Sequence, residues 1–68
     1  MSIDASAQSG ATPVRILVAE DEALIRMDLV EMLQEAGYTV VAQATNGEEA
    51  IALANEHRPD LAILDVKM

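Results

Sequence analysis

The chain has no cysteine, no tryptophan and no phenylalanine among its 68 residues, and Tyr38 is its one aromatic side chain. Without cysteine there is no disulfide framework and no thiolate metal site. Without large rings, any core must be built from Ala, Leu, Ile, Val and Met. Basic residues are scarce: four Lys and Arg stand against twelve Asp and Glu, a formal net charge of −8. Such a balance argues against nonspecific binding of nucleic acid or of an anionic membrane surface by this segment. No run approaches the roughly 18 apolar residues of a membrane span. Residues 1–13 have neither the basic start nor the apolar centre of a signal peptide.

What the chain does have is one conspicuous stretch, Ile16-Leu17-Val18-Ala19-Glu20-Asp21-Glu22. An apolar run that stops at three consecutive carboxylates reads as a buried strand ending at a polar site. The pattern recurs in Leu61-Ala62-Ile63-Leu64, which runs into Asp65.

Residues 1–13 are rich in Ser, Ala, Gln, Gly and Thr and offer too few large apolar groups to offset their ordering entropy, so a disordered tail is expected there. A first strand is predicted over 14–19 and a helix over 23–36. In that helix Ile25, Leu29, Met32, Leu33 and Ala36 fall on one face. Leu24, Met27 and Val30 lie off that stripe and are expected to be scattered exposed apolars. Asp28 reads as a solvated or hydrogen-bonded carboxylate. Gly37 stands where a left-handed helix-ending residue belongs.

A second strand is predicted over 39–44. Asn46-Gly47 resembles a hairpin turn, but the Ala-, Leu- and Glu-rich stretch 48–57 that follows lacks strand alternation and reads as a helix. Thr45 with Glu48 and Asn46 with Glu49 both fit a capping box. Arg58-Pro59-Asp60 ends this helix. His57 in its last turn reads as a helix-end cation in preference to a metal ligand. A third strand is predicted over 61–64.

The order β-α-β-α-β with short connections specifies a parallel sheet with crossover helices. With right-handed crossovers and a third strand returning beside the first, the strand order is 2-1-3. Ligands bind beyond the carboxyl ends of the strands where the chain reverses direction. Glu20, Asp21 and Asp65 are all expected there. One acid at a strand end is most simply a solvated terminus. A pair after one strand and a third after its neighbour make a site, and their mutual repulsion suits a hard divalent cation such as Mg²⁺.

Taken together, Val14 to Glu22, Gly37-Tyr38, Asn46-Gly47 with Ala50, and Pro59-Asp60-Leu61 through Asp65-Val66-Lys67-Met68 resemble a bacterial two-component response-regulator receiver domain. The resemblance implies a partial flavodoxin-like fold over 14–68, truncated after strand 3. It implies that Asp65 accepts a phosphoryl group from a sensor histidine kinase. It further implies Asp21 as a direct Mg²⁺ ligand, Glu20 as an acid holding the metal through water, and the backbone carbonyl of Lys67 as another ligand. Many relatives carry Asp where Glu20 stands. The run Glu20 to Leu29, with Asp65 to Met68, looks like receivers joined to RNA-binding antiterminator (ANTAR) domains, so RNA would be reached only through an output domain outside this segment. The expected setting is the cytoplasm, with no membrane partner and no turnover enzyme activity. An incomplete receiver is expected to fold poorly alone.

Two rivals come from other classes. A Mg²⁺-dependent aspartyl phosphatase or phosphotransferase commonly shows Asp-x-Asp after a strand, and here position 67 is Lys. A truncated receiver that is never phosphorylated would be an interaction fragment. A nucleotide-binding reading fails because no glycine-rich loop follows the first strand.

Overall fold

The computed structural model describes residues 13–65. The sequence expectations for the tail and for the Lys67 carbonyl lie outside the described residues. Five elements follow in order: β1 (Arg15–Glu20), α1 (Ala23–Glu35), β2 (Thr39–Ala44), α2 (Gly47–His57) and β3 (Leu61–Asp65). The three strands are parallel in the order β2-β1-β3. This is the expected β-α-β-α-β arrangement of the first part of a receiver fold, with boundaries within about one residue of those read from the sequence.

β1 is the central strand and is buried from Ile16 to Glu20, because each sheet face carries a helix. Side chains alternate across it. Ile16 and Val18 pack with Val30, Leu29 and Leu33 of α1 and with Val40 and Ile63. Leu17 and Ala19 pack on the other face with Ala44 and with Ala50, Leu53 and Ala54 of α2. The core is thin and aliphatic, as the lack of rings demands.

One feature of β2 was not legible beforehand. The register shifts between Ile16, paired with Val40, and Leu17, paired with Ala42. Val41 is thus an extra residue in β2, a bulge that reverses which side chains face which helix. Past it Ala44 pairs with Ala19, and both are fully buried beneath α2.

The buried face of α1 corrects the sequence reading. Leu29 and Leu33 face the sheet as expected, but the third contact is Val30 at 9 % exposure, whereas Ile25 and Met32 stand 46 % and 59 % exposed. Apolar residues occur all round this helix, so periodicity could not fix its rotation. The sheet face of Ile16 and Val18 fixes it at Leu29, Val30 and Leu33, the i, i+1 and i+4 positions. Leu24 and Met27 are exposed as expected.

The helix ends obey local chemistry. Gly37, at φ 98°, gives its N–H to the Gln34 carbonyl, and Tyr38 gives its N–H to that of Leu33, which together close α1 with a Schellman motif. At α2, Asn46 is the cap: its Oδ1 accepts from the Glu49 N–H at 2.8 Å. Glu49 reaches back past it to Thr45, accepting from the backbone N–H at 2.7 Å and from the hydroxyl at 3.0 Å. Asn46→Ala should therefore lower stability by about 1 kcal/mol, read as a lower urea midpoint, while Asn46→Asp stays near wild type.

The far end of α2 is held by a residue given no role from sequence. Arg15 donates from Nη2 to the His57 carbonyl at 2.8 Å and from Nη1 to the Arg58 carbonyl at 2.9 Å. Arg58 takes the left-handed conformation at φ 49°, and its N–H bonds the Ala54 carbonyl. His57 does lie in the last turn, with its ring 4.0 Å from the Glu56 carboxylate. The hydrogen bonds to the terminal carbonyls come from Arg15, whose long planar fork reaches two acceptors at once. Asp60 completes this lower edge: it pairs with the Arg15 backbone through its own N–H and through its carboxylate.

Candidate functional site

The carboxyl edge of the sheet is where the acids gather. Glu20 is the last residue of β1 and pairs in register with Asp65, the last residue of β3. Asp21 follows directly as the chain leaves the strand. The parallel pairing of β1 and β3 is what brings together residues 45 positions apart. β2 is added on one side of β1 and β3 on the other, so the strand order reverses here and the acids stand at the switch point of the sheet.

The three carboxyls differ in setting. Asp21 and Asp65 are exposed. Glu20 is 3 % exposed, a buried acid. One of its oxygens accepts the Glu22 N–H at 2.8 Å, which closes the exit loop on itself. Glu22 occupies the N-cap position of α1 without a side-chain bond to the helix. Arg26, one turn into α1, donates from Nη1 to the Glu20 carbonyl at 2.7 Å.

The electrostatics follow from this crowding. The Glu22 N–H favours the ionised form of Glu20, but burial and the neighbouring Asp21 and Asp65 outweigh it, and the Glu20 carboxyl is raised above its ordinary 4.5. Glu49 moves the opposite way. The Thr45 backbone and hydroxyl hydrogen bonds, aided by the charge of Arg26, hold its carboxyl below the usual value.

The raised Glu20 has a stability consequence. A group whose folded-state value is raised stabilises the fold fully below its unfolded value, and that contribution is lost as pH rises through the folded value. At neutral pH an ionised Glu20 thus works against folding. Glu20→Gln, which keeps an oxygen for the Glu22 N–H, should raise the urea midpoint at pH 7. The gain should disappear as the pH falls toward 4.5.

Among the described residues, no three His, Cys, Asp or Glu side chains form a ready-made metal cluster. The donor set still fits a hard cation. Mg²⁺ is ordinarily held by one or two carboxylates with several waters, and seldom by an all-protein cage. The neighbouring carboxyls of Asp21 and Asp65 that raise Glu20 are those a cation would quiet.

The structure brings Glu20, Asp21 and Asp65 to one edge, where the sequence reading placed them, and adds Arg26, which that reading did not single out. The signal was present: Arg26 lies four residues after Glu22, a spacing that places it over the start of the helix, and it is an isolated cation in an acidic run.

This is the fold of a signalling domain, with an acidic edge at the first switch point of a parallel sheet. The response regulator receiver domain family matches residues 16–68, and the chain belongs to that family. It is similar to the transcriptional regulatory protein PdtaR of Mycobacterium tuberculosis, 64 % identical over 58 residues, which are 85 % of this chain and 28 % of that protein. It is also similar to the chemotaxis protein CheY of Thermotoga maritima, 41 % identical over 54 residues, covering 79 % of this chain and 45 % of CheY. A third relative is a protein-glutamate methylesterase/protein-glutamine glutaminase of Haloarcula marismortui, 45 % identical over 58 residues, 85 % of this chain and 16 % of the enzyme. The chain thus spans less than half the length of each of these relatives.

Proposed function

We propose that this segment is the phospho-acceptor of a two-component response regulator, with Asp65 as the residue phosphorylated by a sensor histidine kinase. The observation that carries this reading is the register pairing of Glu20 with Asp65 at the carboxyl edge of the sheet, with Asp21 adjacent. Asp65 is exposed where a donor can reach it, and Glu20 is buried beside it. An Asp65 carboxylate oxygen attacks phosphorus in line, the P–N bond of the donor phosphohistidine breaks, and the imidazole leaves with its electron pair. Asp21, Asp65 and the Lys67 backbone carbonyl would hold Mg²⁺, with Glu20 reaching it through water. The metal supplies charge neutralisation of the phosphoryl oxygens. Glu20, fixed by the Glu22 N–H, keeps the exit loop shaped and leaves its second oxygen for that water.

The aspartyl phosphate adds about 1.5 to 2 negative charges if it behaves as other phospho-residues do. The parent protein would work in the cytoplasm, and among the described residues no helix is long and apolar enough to cross a membrane. Its output is proposed to be transcription antitermination through an RNA-binding domain. The acid-loop run Glu20 to Leu29 and the relative named a transcriptional regulatory protein support this output. The receiver itself passes on a signal and turns over no substrate.

Acetyl phosphate with Mg²⁺ tests the acceptor role directly. Intact mass should show the gain of one phosphoryl group, abolished by EDTA. A chain whose Asp21 and Glu22 amides respond to Mg²⁺ yet gains no phosphoryl group would refute the proposal.

A further inference from the structure

Arg26 touches more of the site's surroundings than any role read from sequence gave it. It is half-buried in the first turn of α1. Its Nη1 donates 2.7 Å to the carbonyl oxygen of Glu20, the residue at which β1 ends. Its charge also reaches Glu49 in the first turn of α2, where it adds to the Thr45 hydrogen bonds that keep that carboxylate ionised. One side chain therefore ties the start of α1 to the end of β1. The Glu20-Asp21-Glu22 loop is tied at two points: the Glu22 N–H on the Glu20 carboxylate, and the Arg26 guanidinium on the Glu20 carbonyl.

The geometry points to Arg26 as a positioning residue that fixes the acid-bearing loop in the shape a divalent cation requires. This rests on the Mg²⁺ reading proposed above and assigns it a supporting residue. Two effects of the guanidinium oppose each other. Its positive charge repels a cation, and its hydrogen bond orders the acids that attract one. The repulsion is weak, since Asp21 and Asp65 face water, where charges are screened. Ordering is the larger effect, because the groups that orient metal ligands typically set affinity by tenfold or more.

The test uses the whole 68-residue chain, ¹⁵N-labelled and titrated with MgCl₂ while the Asp21 and Glu22 amide signals are followed. Phosphoryl gain from acetyl phosphate is measured against Mg²⁺ concentration in parallel, and far-UV circular dichroism reports the fold. Arg26→Gln should raise the half-saturating Mg²⁺ about tenfold in both titrations, with the phosphorylation rate at saturating Mg²⁺ within about twofold of wild type. Arg26→Lys, with the charge and a single donor retained, should recover most of the loss and lie within about threefold of wild type. A role confined to holding the fold would instead lower the dichroism and the plateau rate and leave the half-saturation unchanged. An Arg26→Gln half-saturation equal to or below that of wild type overturns the inference. Should that variant lose its fold, Arg26→Lys decides: an unchanged half-saturation overturns the inference, and a rise upholds it. A wild-type chain whose amides ignore Mg²⁺ removes the metal reading and the role of Arg26 together. A wild-type chain that binds Mg²⁺ but gains no phosphoryl group removes the acceptor reading alone, and the amide titration still decides on Arg26.

Discussion

Asp65→Asn should abolish Mg²⁺-dependent phosphoryl gain from acetyl phosphate, with the intact mass of the variant unchanged after a treatment that modifies wild type. Asn has nearly the same shape, so β3 and its pairing with β1 persist. The replaced group is exposed at a strand end, where the stability change is expected to stay within about 0.5 kcal/mol. What is lost is chemical. The amide oxygen is a far weaker nucleophile than a carboxylate and brings no negative charge to a metal. A second effect accompanies the first. Asp65 is one of the two acids that raise Glu20, so its neutralisation should let the Glu20 carboxyl fall back toward its ordinary range. An NMR pH titration of Glu20 in the variant would show it. Persistent Mg²⁺-dependent modification of Asp65→Asn would move the acceptor elsewhere on this edge, with Asp21 the adjacent exposed carboxylate.

The similarity to three differently named proteins defines what this segment can be asked to do. The same stretch makes up 28 % of a transcriptional regulatory protein, 45 % of a chemotaxis protein and 16 % of a methylesterase. The part in common is the receiver domain, to which the proposed acceptor chemistry is assigned. The output belongs to whatever is joined to it, since function is carried by sites grafted on a fold and not by the fold itself.

Strand identity and order were legible because each strand is a short apolar run with unmistakable punctuation. Glu20 and Asp65 stop two of the runs, and Gly37 and Asn46 mark the helix end and the helix start. The acidic edge was legible for the same reason: parallel pairing carries the ends of β1 and β3 to one place. Three features were not. The rotation of α1 depends on which of its many apolar residues meets Val18, and the helix alone does not encode that choice. The bulge at Val41 depends on fitting Ala44 beneath α2, a packing matter invisible to strand propensity. Arg15 acts through backbone carbonyls of a distant segment, so no side-chain partner at a telling spacing betrays it.

Leu17→Ala should collapse the folded population, seen as loss of far-UV dichroism and of the urea transition, whereas Leu64→Ala should leave both nearly unchanged. The two leucines make a controlled comparison. Leu17 and Leu64 lie on the same face of adjacent strands, since Leu64 pairs with Ala19, two residues beyond Leu17. The substitution is chemically identical. Leu17 is 1 % exposed and packed with Ala19, Ala44 and Ala50, while Leu64 is 60 % exposed. Truncating a buried leucine costs the transfer of its methyl groups and leaves a cavity, together about 3 kcal/mol. Its buried neighbours at this site are three alanines, whose short side chains cannot swing in, which leaves partly buried Leu53 as the one long side chain near the space. A core of this size rarely supplies more than about 3 to 5 kcal/mol of net stability. The cost of the substitution is therefore of the same order as the entire margin, and the folded-to-unfolded ratio should fall by about a hundredfold. Leu64→Ala removes a side chain already largely in water, and its effect should stay within about 0.5 kcal/mol. A similar loss in both variants would mean that apolar area near the sheet edge counts as much as the interior of β1. The acids at that edge would then be held by packing around β3 as much as by the buried central strand.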